Sequence, residues 1–194
     1  MEEKYRAVLL GIFMGLATLL FAEFMASTFG LYEEDIKGAL YQEALEHTEG
    51  VTIEGHPTEK DSYRKIFKDK AEAKKVSKKA WVYLKRAHSH GEGLGVIVIA
   101  LCLVLGHTRL KPVFKKALSA MIGLGGFLYP FCWFFAGTYM VDIGKEAAKS
   151  QIHWLAVSSV SLYLGGMAVL FGLLLLSCWN KGNPFLPVFF KPVD

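Results

Sequence analysis

Four apolar stretches organise the chain. Ala7–Ala22, Gly93–Gly106, Ala117–Val141 and Ser150–Asn180 contain no Asp, Glu, Lys or Arg. A helix needs roughly 20 mostly apolar residues to cross the hydrocarbon of a bilayer. Two of the stretches exceed that length, and the other two reach it with modest extension at one end. In lipid every backbone N–H and C=O must be satisfied within its own segment, so such spans are helices. The pattern predicts an all-α fold: an integral membrane four-helix bundle with spans at about 5–29, 88–107, 113–141 and 151–179, and one long polar loop between the first two.

The regions between the spans have patterns of their own. In the loop 30–87, Tyr32–His47 reads as a short acidic helix, and Gly50, Gly55 and Pro57 then interrupt the chain. Beyond them Ile66, Ala73, Ala80, Tyr83, Leu84 and Ala87 recur at helical spacing among lysines. That pattern suits an amphipathic helix lying at the membrane interface and running into the second span. Trp81 and Tyr83 would sit at head-group depth. Pro112 fits the first turn of the third span. Pro130 lacks an N–H and is expected to kink that span, with Gly126 softening the clash four residues earlier. Residues 182–194 contain three prolines and are expected to be extended.

Small residues line two helix faces: Gly11, Gly15, Thr18, Ala22 and Ala26 on the first span, and Ser158, Ser161, Gly165, Ala168 and Gly172 on the last. Small residues let membrane helices approach closely. Internal packing is the expected use, and a homo-oligomer contact is the alternative. The two halves of the chain show no repeat, so an inverted-repeat transporter is not expected.

Charge refines the picture. The chain of 194 residues has a formal net charge of +4 and is 53% hydrophobic. Residues 31–59 hold eight acids against Lys37, whereas residues 60–87 hold eleven bases against Asp61, Asp69 and Glu72. The two runs are suited to pair with each other, and the basic run is suited to anionic lipid head groups. No nucleic-acid motif accompanies the bases, so nucleic acid is not an expected partner. Lys4, Arg6, Arg109, Lys111, Lys115 and Lys116 crowd one side of the membrane. The positive-inside rule then favours both termini in the cytoplasm. Cys102, Cys132 and Cys178 lie within spans, form no C-x-x-C pair, and read as small buried hydrophobes.

The candidate chemistry lies at the span ends that face the long loop: Glu23, His88, His90, Glu92 and His153. Ionisable residues in membrane spans are costly and usually paired or functional. Residues two apart on a helix point about 200° apart, whereas residues four apart share a face. His88 and Glu92 therefore share a face, and His88 and His90 do not. Two cofactor sites remain open. In one, His90 or His88 and His153 hold a haem b iron, with Gly91, Gly93 and Gly95 leaving room for the macrocycle. In the other, Glu23, His88, Glu92 and His153, with His90 in reserve, hold non-haem iron, zinc or manganese. Helix capping, a proton relay and a quinone site compete with both. His47, His56 and His107 read as carrying no such chemistry.

The run His88-Ser-His90-Gly-Glu-Gly-Leu94-Gly95 resembles the H-x-H-x-x-x-L-G signature of a family of small bacterial four-span membrane proteins. Gly11, Gly15 and Phe21-Ala-Glu23-Phe24 are similar to that family's glycine-rich first span, which ends in an acid and Phe. His153 matches its histidine early in the last span. Glu92 stands where the family has an apolar residue, and the first loop is longer. The resemblance implies the four-span fold and histidine-bearing span ends, and no particular activity. The expected function is a membrane-integral haem- or metal-binding protein, a redox or quinol-linked subunit alongside other membrane subunits. A non-enzymatic accessory or assembly subunit and a small transporter are the alternatives.

Overall fold

The computed structural model describes residues 3–49, 66–179 and 186–190. Among the described residues six helices follow one another: α1 (Glu3–Arg6), α2 (Leu9–Glu46), α3 (Lys70–His107), α4 (Pro112–Ile143), α5 (Lys145–Trp179) and α6 (Leu186–Phe189). Among the described residues there is no strand beyond two isolated bridges, Thr48 with Phe67 and Leu110 with Phe190. Helices α2–α5 are each long and apolar enough to cross a membrane. Within the most apolar window of each, only 28, 33, 44 and 22% is buried inside the protein. Large side chains such as Phe13, Leu20, Phe24, Val96 and Phe171 stand exposed on them. So much outward apolar surface requires an apolar solvent. The chain is a multi-pass membrane protein in contact with the lipid bilayer.

The helices outrun the membrane. At 1.5 Å per residue the 38 residues of α3 extend about 57 Å, nearly twice the roughly 30 Å of hydrocarbon. Much of the expected 30–87 loop is in fact helix. Tyr32, with φ −130° and ψ 25°, breaks the regularity of α2. Glu33, Glu34 and Asp35 then open the continuing segment, where the positive end of a helix favours acids. Lys37 holds Glu33 at 2.6 Å and Glu34 at 2.8 Å. The basic segment is helical and, as its pattern predicts, runs into the second span. Lys70–His107 form one continuous helix. Its apolar face (Ala73, Ala80, Leu84, Ala87) is buried against protein, and no proline interrupts it. Asp69 caps α3 by accepting from the Glu72 N–H, and Glu72 in turn accepts from the Lys68 N–H.

Other local expectations meet the structure as follows. α4 starts at Pro112, and Pro130 lies inside it, fully buried. Leu186–Phe189, in the tail expected to be extended, make one helical turn. The Lys111 N–H donates to the Phe189 carbonyl. Among the described residues, Cys102 and Cys132 are buried and take part in no disulfide. Gly50, Gly55, Pro57, His56 and the Pro184, Pro187 and Pro192 side chains lie outside the described residues.

The chain divides into two compact units, and each long helix contributes a segment to both. The first comprises residues 1–21, 90–129 and 155–194. Its core is Val8, Val98, Cys102, Leu105, Leu110, Leu118, Ile122, Leu170 and Leu173. Backbones come close here because glycine faces glycine. A Cβ on Gly123 would lie 2.8 Å from the Gly11 Cα, and one on Gly15 would lie 3.1 Å from the Gly95 carbonyl. The Gly11 face therefore serves internal packing. On α5 the packed row is Ser159, Tyr163 and Gly166, and the expected row containing Ser158, Ser161 and Ala168 is exposed. Ser119, fully buried, joins two helices by accepting from the Gly11 N–H and donating to the Val8 carbonyl. The buried Lys115 donates to the Gly106 carbonyl at the end of α3.

The second unit comprises residues 22–89 and 130–154. Its core is Ala44, Phe67, Ala73, Ala80, Tyr83, Ala136, Met140, Val141 and Ala148. This unit carries both charged segments, acidic on α2 and basic on α3.

Candidate metal centre

The second unit contains a cluster whose parts come from opposite ends of the sequence. Glu43 and His47 are four residues apart at the end of α2, so they share a face. Asp142 is the first charged residue after the uncharged run of α4. A carboxylate oxygen of Glu43, one of Asp142 and a ring nitrogen of His47 all lie within 4.8 Å of one another. The His47 Nε2 is 3.8 Å from the Glu43 Oε1.

Local structure fixes these positions. His47 follows the last turn of α2, and its carbonyl accepts from the N–H groups of both Ile66 and Phe67. Thr48 donates its hydroxyl to the Ala44 carbonyl, while the Glu49 N–H donates to Phe67. On the other side, Gly144 has φ +82° and its N–H donates to the Met140 carbonyl. That is the left-handed stop of a helix, which favours glycine. It ends α4 next to Asp142 and lets α5 begin at once.

Burial makes the two carboxylates poor anions. It raises the Glu43 pKa first, with Asp142 and Glu46 adding like charge and His47 opposing. Burial also raises Asp142, again with His47 opposing. His47 is 8% exposed, and Glu43 is the most open of the three. Ligand atoms about 2.1 Å from a zinc-like ion lie roughly 3–3.5 Å apart from one another. The cluster would have to contract by about 1 Å, a side-chain movement, to close on an ion. One imidazole and two carboxylates suit iron, zinc or manganese.

The residues singled out from the sequence are placed differently. Glu23, His88 and His153 belong to the second unit, and His90 and Glu92 to the first. Glu23, Glu92 and His153 are exposed, and His88 and His90 are half-buried. The His88 Nδ1 lies 3.1 Å from the Ala22 carbonyl, and its ring meets the edge of Phe29. The His90 ring packs edge-on against Tyr129 at 5.2 Å. Among the described residues, Glu43, His47 and Asp142 are the group whose ligand atoms come together; neither unit assembles such a group from the five. His107 bonds at a helix end, with Nδ1 at the Leu103 carbonyl and Nε2 at the Tyr5 hydroxyl.

Sequence reasoning passed over His47. The Glu43-x-x-x-His47 spacing on an expected helix was the available signal, and Asp142 had none. The chain matches no family model, no curated protein and no solved structure.

Proposed function

We propose that this protein is a membrane-integral metal-binding protein, and that Glu43, His47 and Asp142 hold a divalent transition metal. The convergence of their three ligand atoms within 4.8 Å carries the reading. A bound cation would also offset the cost of two carboxylates held in a partly desolvated place. The proposed role is that of a redox or quinol-linked subunit. The outward apolar surface of α2–α5 supports a lipid-soluble donor or neighbouring membrane subunits as partners. The exposed row of Ser158, Ser161 and Ala168 supports a helix-to-helix contact with a second copy or another subunit. Both termini are proposed to be cytoplasmic, in a bacterial inner membrane, on the strength of the bases near Arg109–Lys116.

The test is the metal content and visible spectrum of the full chain purified in detergent. The expected result is close to one equivalent of iron, zinc or manganese, lost in His47→Ala and Asp142→Asn and retained in His90→Ala and His153→Ala. A Soret band that disappears in His90→Ala and His153→Ala would replace this reading with haem. A metal-free protein that co-purifies with other subunits would replace it with an accessory role.

A further inference from the structure

The second unit carries an acidic row on α2 and a basic row on α3, both turned outward. From residue 33 to 49 there are six acids against Lys37, and from residue 68 to 86 there are eight bases against Asp69 and Glu72. The apolar sides of the two helices are used in the core, where Leu40, Tyr41 and Leu45 of α2 join Ala73, Ala80 and Tyr83 of α3. The charged side chains are left on the outer sides. Asp35 and Glu49 are exposed, and so are Lys70, Lys74, Lys75, Lys78 and Lys85. Lys74, Lys78 and Lys85 fall on one line along α3, at i, i+4 and i+11. Lys37 takes up Glu33 and Glu34 within α2 itself. Among the described residues, Asp35, Glu49, Lys70, Lys74, Lys75 and Lys78 take part in no ion pair. Each row is thus a strip of charge of one sign whose complement lies on the neighbouring helix but faces another way.

The two rows lie side by side over the same stretch. At one end the Phe29 and Trp81 rings meet at 4.8 Å, and the Lys37 ammonium reaches the Trp81 ring at 5.7 Å. At the other end Thr48 bridges to Phe67. The helical parts of the rows are about 20 Å long on α2 and about 24 Å long on α3, at 1.5 Å per residue. Counting along both helices from these contacts puts Asp35 level with Lys78, and Glu49 within about one helical turn of Lys70. Copies of a membrane protein insert in one sense, so a two-fold axis between two of them stands along the membrane normal. Such an axis keeps each row at its own height. It sets the acidic row of one copy level with the basic row of the other, twice over. The basic row offers no aromatic face for a nucleobase, since Trp81 and Tyr83 are both buried.

We propose that the outward rows of α2 and α3 pair between two copies of this chain, in a two-fold dimer where Asp35 and Glu49 of each copy face Lys78 and Lys70 of the other. The contact is separate from the exposed row on α5. Glu43, His47 and Asp142 take no part in it, so it stands whether or not a metal binds.

The experiment measures the mass of the full chain by sedimentation in a neutral, density-matched detergent at low and at high salt. Between roughly 0.1 M and 1 M the screening length falls from roughly 10 Å to 3 Å. The wild type should be a dimer at low salt and weaken at least about tenfold at high salt. Two variants each reverse one row: Asp35→Lys with Glu49→Lys, and Lys70→Glu with Lys78→Glu. Each alone should lose at least about tenfold in dimer affinity, as exposed ion pairs give way to like charges. Mixed in equal amounts, the two should form a heterodimer, because every row again meets its opposite. A wild type that is monomeric at low salt overturns the proposal. Binding of poly-glutamate or of phosphatidylserine vesicles by that monomer would give the basic row to an acidic protein or to lipid instead. Association that both variants keep at high salt places the contact elsewhere, the α5 row included, and also overturns it. So does a mixture of the two variants that stays monomeric.

Discussion

Gly125→Ala tests how the first unit is packed. Gly125 lies on α4 against α5, and a Cβ built there would meet the Tyr163 backbone nitrogen at 2.5 Å and the Ser159 carbonyl at 2.6 Å. It would also meet the Tyr163 Cβ at 2.8 Å. Ordinary Cβ contacts lie near 3.4–4 Å, so the added methyl must drive the two helices apart by close to 1 Å. The obstacles are backbone atoms, which cannot rotate away as a side-chain end can. Overpacking of this kind costs about 1–3 kcal/mol, and backbone contact puts this site at the upper end. The fully buried Ser159 and Leu170 of α5 would lose contacts as the helices separate. The comparison variant is Gly38→Ala on the exposed outer part of α2, where a Cβ meets nothing within 4 Å. There the helix propensity of alanine should stabilise by about 0.5–1 kcal/mol. The assay is reversible unfolding in mixed micelles, with denaturing detergent as the titrant and circular dichroism as the readout. Gly125→Ala should lower the unfolding free energy by about 2–3 kcal/mol. A neutral or stabilising result at Gly125 would show that α4 and α5 do not approach at this point.

Further outcomes follow from named contacts. Ser119→Ala removes the acceptor of the Gly11 N–H and one of the two donors to the Val8 carbonyl at a fully buried position, and should cost about 1–3 kcal/mol in the same assay. Gly144→Ala forces a Cβ into a left-handed residue 3.1 Å from the Ile66 side chain. It should cost about 1–2 kcal/mol and weaken metal retention through Asp142. The metal-free protein should lose stability as pH rises. Glu43 and Asp142 are raised in the folded state above their ordinary values of 4.5 and 3.8, so the folded chain binds more protons than the unfolded one. That contribution is fully present below those values and is lost as pH climbs through the raised ones. Thermal scans should show Glu43→Gln flattening the pH profile, and added divalent metal should restore stability at neutral pH. An unchanged profile in Glu43→Gln would contradict the burial of these carboxylates.

Much of the architecture was legible in contiguous residues. The four uncharged stretches marked four helices because lipid admits no unsatisfied backbone, a constraint that acts on each segment alone. The acidic helix after Tyr32 and the start of α4 at Pro112 were local in the same way. The basic segment is legible as an amphipathic helix that runs into the second span, but the neighbour of its apolar face is not. Whether the face of Ala73, Ala80 and Leu84 meets lipid or protein depends on what packs there.

The candidate site was less legible. Glu43 and His47 share a helix face by spacing, yet their meaning depends on Asp142, which lies far along the chain.

The sequence by itself determined the number of long apolar helices and the separation of acidic from basic segments. Tertiary structure alone decided which faces turn inward. On α5 it packed Ser159, Tyr163 and Gly166 against α4 and left Ser158, Ser161 and Ala168 outside. The reason is physical: lipid is as apolar as a protein core, so hydrophobicity does not tell inside from outside in a membrane helix. Only the fit of one backbone against another makes that choice.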